Sequence, residues 1–144
     1  MKKLIRKGFT LLELLIVIVI LGLLVSLVSL NLFPTLNNAY IEKAKADIGT
    51  LQQALVMFKI NEGRYPTQDQ GLNSLIEKPG DLRNPNKYPS SGYINGNKLP
   101  TDPWGNDYVY VFPGQNSEFD IISLGADGAL GGEGENADIG ISTR

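Results

Sequence analysis

Cysteine and histidine are both absent from the 144 residues. No disulfide can staple the fold and no thiol can act as nucleophile, and neither a histidine-based triad nor the usual zinc ligands can be assembled. Carboxylates alone could form a hydrolytic pair, but a glycine-rich loop without supporting structure holds two acids poorly in catalytic geometry. The inventory therefore points away from an enzyme. A basic excess is lacking too: 13 bases stand against 15 acids, and four of those bases (Lys2, Lys3, Arg6 and Lys7) fall in the first seven residues, leaving 9 against 15 beyond them. That balance disfavours nucleic acid as a partner. Charge of either sign is missing from Leu14 to Ile41.

What fills that gap is an apolar run. From Gly8 to Phe33 the chain reads GFTLLELLIVIVILGLLVSLVSLNLF, and at about 1.5 Å per residue its most apolar twenty would cross a hydrocarbon core of roughly 30 Å as a helix. Glu13 breaks the pattern, at a position where a charge costs about 3 kcal/mol in mid-bilayer and less near the edge. A secretory signal peptide fits poorly, because the run outlasts the usual apolar region, carries an acid and lacks a small-x-small cleavage site. A plain membrane anchor, oriented by its basic flank with the N-terminus in the cytoplasm, accounts for everything except Glu13 and the Gly8–Phe9 junction.

Lys7 to Leu14, KGFTLLEL, resembles the class III leader of type IV pilins and type II secretion pseudopilins. The resemblance implies cleavage between Gly8 and Phe9 by a prepilin peptidase, N-methylation of Phe9, and retention of the apolar helix. Cleavage there would expose an α-amino group whose ordinary pKa is about 7.7 to 8.0. Phe9 and Glu13 stand at i and i+4, so amine and carboxylate share one helical face. They could neutralise each other within one chain. Alternatively, Glu13 could take the amine of an adjacent subunit; unpaired charge in lipid is costly, so such pairing would fix the axial stagger between helices.

Beyond Pro34, where a kink or break is expected, Ile41, Ala44, Ile48, Leu51, Leu55 and Phe58 recur at helical spacing. Asn61, Glu62 and Gly63 look like the end of that helix. Pilin-like relatives often carry a proline at the position of Leu30 and none at that of Pro34. From Gly63 to Gly92 the chain reads as loop, with one helical turn at Leu72, Leu75 and Ile76; Tyr65 to Leu72 resembles the YPTxxQGL segment of major pseudopilins. Three short strands are expected: one at Leu99, one over Tyr108–Phe112 and one over Glu118–Leu124. Asp102 to Gly105 matches the DPWG turn of that family. Strands packed on the amphipathic helix give an α+β arrangement, type IV pilin-like: a long N-terminal helix on a small antiparallel three-stranded sheet.

Leu124 to Gly140 is rich in glycine and acids and poor in the apolar surface that would fix its shape. Hard cations such as Ca²⁺ take six to eight oxygens from carboxylates and carbonyls, and Asp127 and Asp138 are the side-chain candidates. The spacing is not that of an EF-hand, and a solvated acidic loop is the alternative. Ser123 to Gly128 and Ala137 to Ile139 resemble the calcium loop of major pseudopilins, which implies Asp127, Asp138 and the Leu124 carbonyl as ligands, with the carbonyls of Leu130 and Gly132 as further candidates.

The sequence is thus expected to comprise a cleaved leader (1–8), a transmembrane and filament-core helix (9–33), an amphipathic helix (34–62) and a periplasmic α+β domain (63–144). The resemblance implies a single-pass inner-membrane protein, N-terminus cytoplasmic, that assembles with copies of itself into a periplasmic filament driving export of folded proteins. Its implied partners are minor pseudopilins, the inner-membrane secretion machinery, the prepilin peptidase and, before assembly, the membrane. A type IV pilin for adhesion, motility or DNA uptake is the alternative. Many such pilins close their C-terminal region with a disulfide, which this chain cannot do.

Overall fold

The computed structural model describes residues 9–115 and 117–140, with the backbone alone over 27–35. Gly8 and the leader therefore lie outside the described residues. Helix α1 runs from Leu11 to Glu62, 52 residues. It starts where the Thr10 hydroxyl accepts the Glu13 N–H at 3.2 Å, satisfying one of the donors that every helix leaves over at its N-terminus. It stops where the Gly63 N–H closes on the Lys59 carbonyl at 2.7 Å. The break expected at Pro34 is absent, since α1 continues through it. A proline removes one backbone donor, and the bonds of the neighbouring turns can carry the helix past it.

The chain divides into two compact units, Met1–Asn37 and Asn38–Arg144. In the first, Leu11 to Leu24 present apolar side chains on every face, 44–88% exposed. Among the described residues no helix is long and apolar enough to cross a membrane; the stretch expected to do so, 9–33, extends past Ser26, where the described side chains pause.

The second unit is built on the helical stripe. Ala44, Ile48, Leu51, Leu55 and Phe58 are at most 0% exposed, and Ala54 joins them at 5%. Strands β1 (Val109–Val111), β2 (Asp120–Ser123) and β3 (Ile139–Gly140) form an antiparallel sheet in that order. Its register pairs Tyr110 with Ile121 and Ser123 with Ile139. Tyr108, Tyr110 and Ile121 enter the same core as Ile48, Leu51, Leu55 and Phe58, together with Tyr65, Leu72, Leu75 and Ile94 from the connecting loops. Each such large apolar side chain contributes about 1.5–3 kcal/mol on full burial.

One strand differs from expectation. Leu99 belongs to no strand; its neighbourhood contributes only a bridge between Thr101 and Asp107. The third strand is Ile139–Gly140, at the far end of the acidic loop. Pro100 and Pro103 flank Thr101, and proline has no N–H to give to a ladder. The outer edge of β1 is closed by a side chain: the Gln68 amide donates to the Tyr110 carbonyl at 2.8 Å and accepts the Phe112 N–H at 2.7 Å. That side chain occupies an edge otherwise open to further strands.

The connector from Gly63 to Gly92 is loop with a single 3-10 turn at Leu72–Leu75, as the spacing of its apolar residues indicates. Thr67 and Gln70 exchange reciprocal bonds at 2.9 and 3.3 Å, and Gln70 and Arg64 both reach the Asp81 carboxylate, at 2.6 and 3.1 Å. Those bonds hold Asp81 below the usual carboxylate range, Arg64 contributing most. Glu62, 1% exposed, accepts the Asn84 N–H at 3.0 Å and so ties the loop to the end of α1.

Candidate functional sites: the helix start and the acidic loop

Phe9 stands just before α1 and is 80% exposed; Glu13 lies exposed in the first helical turn. A carboxylate there is favoured by the partial positive charge of the helix N-terminus, typically by 0.3–1 kcal/mol. Thr10-x-x-Glu13 also has the form of a capping box, a signal visible in the sequence. An acid at this position suits a helix start whatever it does toward a neighbouring subunit, and Thr10, whose hydroxyl takes the Glu13 N–H, is the residue that sequence reasoning passed over.

The acidic loop leaves β2 at Leu124 and returns at β3, so the pairing of Ser123 with Ile139 closes its neck. Within it the Ala126 N–H donates to the Glu135 carbonyl at 2.9 Å. Gly125 has φ 65°, and a Cβ there would come within 2.8 Å of the Asn136 backbone; at Gly132, φ 91°, it would run into the Asn136 carbonyl oxygen. Both approaches exclude a side chain, so glycine is what lets the two limbs of the loop close on each other.

Asp127 and Asp138 are exposed and turned onto the loop's own backbone. Asp127 Oδ1 accepts the Ala129 N–H at 3.1 Å, and Asp138 Oδ2 accepts the Gly131 N–H at 2.9 Å. The second bond brings Asp138 to the segment that bears the Leu130 and Gly132 carbonyls. Among the described residues no cluster of three or more His, Cys, Asp or Glu could hold a metal. A cation here would draw on Asp127, Asp138 and backbone carbonyls, and an all-oxygen set of that kind suits a hard ion such as Ca²⁺ and not a soft one.

The neck of the loop is held by a feature the sequence did not disclose. Asp102, 3% exposed, accepts the Trp104 and Asn106 N–H groups on Oδ1 at 3.1 and 2.7 Å and the Ser123 hydroxyl on Oδ2 at 2.7 Å. The Asn106 amide donates in turn to the Gly125 carbonyl at 3.0 Å. Trp104, half-buried, meets Tyr40 of α1 edge to face at 5.8 Å.

Comparison with known proteins gives a consistent result. The family described as type II secretion system (T2SS), protein G, matches residues 31–142, and the prokaryotic N-terminal methylation motif matches residues 4–29. The type II secretion system core protein G of Vibrio cholerae is 50% identical over 141 residues, covering 97% of this chain and 94% of that one. Its counterpart in Escherichia coli is 45% identical over 139 residues, covering 96% and 94%. Among solved structures, the major pseudopilin from the type 2 secretion system of enterohaemorrhagic Escherichia coli superposes with a TM-score of 0.65 at 40% identity, over 77% of this chain and 89% of that one.

Proposed function

This chain belongs to the type II secretion system protein G family, a structural subunit of the secretion pseudopilus and not a surface pilin, and we infer that its two candidate sites divide the work of assembly and of subunit integrity. The observation that carries the first half is the exposure of Leu11 to Leu24 on every face of the helix. A helix apolar all round is stable only when something apolar surrounds it. Lipid does so before assembly, and the same segments of other copies do so in the filament. The stretch 9–33 is then a single-pass inner-membrane anchor first and a filament core afterwards, with the globular unit in the periplasm.

In this reading a prepilin peptidase cuts between Gly8 and Phe9, the new amine of Phe9 is methylated, and Glu13 of one copy receives that amine from the next. Minor pseudopilins and the inner-membrane machinery are the further partners, and folded exoproteins are the cargo. Complementation of a secretion-defective strain with Glu13→Ala tests the register role. Filament formation and exoprotein release should both fall sharply, and unimpaired assembly refutes it. Glu13→Gln isolates the charge, because it keeps the capping-box form and removes the carboxylate. Assembly by that variant at the normal level would refute pairing with the amine.

The second half concerns the acidic loop. Ca²⁺ held by Asp127, Asp138 and the Leu124 carbonyl, with Leu130 and Gly132 as further carbonyl donors, would supply the positive charge that the segment lacks. Support comes from the all-oxygen donors, the glycine-dependent closure and the Asp138 bond to Gly131. Binding to the folded state alone raises stability by mass action, so chelation should lower the unfolding temperature of the full chain in detergent. No shift on chelation, and none in Asp127→Ala, would count decisively against calcium.

A further inference from the structure

The turn from Thr101 to Asp107 stands beside the neck of the acidic loop, and two of its side chains, Asp102 and Asn106, bond to Ser123 and Gly125 there. The turn is closed on itself by the Thr101–Asp107 bridge, by the Asp102 N–H to the Asn106 carbonyl at 2.8 Å, and by the Gly105 N–H to the Asp102 carbonyl at 3.0 Å. Two arms leave this rigid base. In one, Asp102 Oδ2 accepts the Ser123 hydroxyl at 2.7 Å, and the Ser123 oxygen accepts the Gly125 N–H at 3.4 Å. In the other, the Asn106 amide donates to the Gly125 carbonyl at 3.0 Å. The Gly125 N–H belongs to the same peptide unit as the Leu124 carbonyl, and the Gly125 carbonyl to the next one, so that unit and its successor are held, directly or through Ser123, from the same turn.

We propose that Asp102 and Asn106 are positioning residues for the calcium site: through Ser123 and Gly125 they aim the Leu124 carbonyl at the cation. The inference rests on the calcium reading above. The chemistry of the two residues matches the task. Ser123 is fully buried and Asp102 nearly so, and a buried carboxylate that receives three donors is held in one orientation. An amide at 106 supplies the N–H that a carbonyl at 125 requires, which a carboxylate at the same place would not. Backbone oxygens bind a hard cation well only when several converge without further reorganisation, and the turn removes the freedom of the one nearest the sheet.

Calcium affinity of the full chain in detergent micelles, measured by titration calorimetry, tests the assignment when paired with the unfolding temperature in excess chelator. Asn106→Ala should weaken calcium binding by about tenfold, as loss of a ligand-orienting partner typically does, while unfolding in chelator stays close to that of the parent chain. Ser123→Ala should weaken it similarly and also lower the chelator value, since it leaves a buried Asp102 oxygen without its donor. Asp127→Ala serves as the ligand control. If the parent chain binds calcium and both Asn106→Ala and Ser123→Ala bind it equally well, the positioning role is overturned and the calcium reading stands. If the parent chain gives no calcium signal, the calcium reading falls and the positioning role with it. A drop in chelator stability at unchanged affinity marks the turn as structural only. Should Ser123→Ala fail to fold, Asn106→Ala, at a half-buried position, decides the matter.

Discussion

Asp47 is shared between two partners of different kinds: Lys43 one helical turn away at 2.6 Å and the Tyr108 hydroxyl at 3.0 Å. The first bond is local to α1, and i,i+4 pairs at exposed positions contribute a few tenths of a kcal/mol. The second reaches across to the residue just before β1 and ties helix to sheet. Burial pushes the Tyr108 phenol up from its ordinary value, and the hydrogen bond to Asp47 pushes it further. A group whose folded pKa is raised contributes its stability in full below the unfolded value, about 10 for tyrosine, and loses it as pH climbs through the folded one. Tyr108→Phe should therefore cost about 1 kcal/mol at neutral pH, with the difference from the parent chain narrowing in strong alkali. Urea unfolding at several pH values, on the full chain in detergent, reads both; a deficit that stays constant as pH rises past the unfolded value would disconnect the bond from the titration.

At the level of elements, what could be read in advance was whatever repeats locally. The stripe Ala44, Ile48, Leu51, Leu55 and Phe58 announces the buried face of α1 because period alone fixes it, and Gly63 announces its end. The sheet was harder. Tyr108–Phe112 and Glu118–Leu124 carry the aromatic and alternating residues of strands, but Ile139–Gly140 offers two residues and one apolar side chain, too little for any periodicity. It is a strand because Ser123 stands opposite Ile139, a relation invisible along the chain. The same holds for the acidic loop: residue types marked Asp127 and Asp138, whereas the grip of Asp102 and Asn106 joins positions some twenty apart in sequence. The helical stripe makes a sharp contrast measurable. Phe58→Ala, at a fully buried position, should cost about 3–5 kcal/mol. Ile60→Ala, two residues on and 66% exposed, should stay within about 0.5 kcal/mol. Comparable losses at the two sites would mean that the outer face of α1 is covered in the protein as purified.

Across the whole molecule the division at Asn37 separates two kinds of stability. Every residue of the hydrophobic core, from Ile48 to Ile121, lies in the unit Asn38–Arg144, along with the partly buried Ile139 that packs against it. That unit carries its own core, its own sheet and the acidic loop, so it is expected to fold without the residues before Asn38. The unit Met1–Asn37 is the reverse. Its described apolar side chains from Leu11 to Leu24 are exposed, and at about 25 cal/mol per Å² of apolar surface removed from water they favour association far more than internal folding. Deleting residues 1–37 should yield a chain that is monomeric without detergent and unfolds cooperatively. It should keep the chelator-sensitive melting expected of the full chain. Sedimentation velocity and circular dichroism in calcium and in chelator would check this. The full chain, by contrast, should require detergent to remain dispersed. A truncated chain that aggregates or shows no cooperative transition would mean that the apolar helix supports the domain itself, and the partition of anchoring from folding would have to be abandoned.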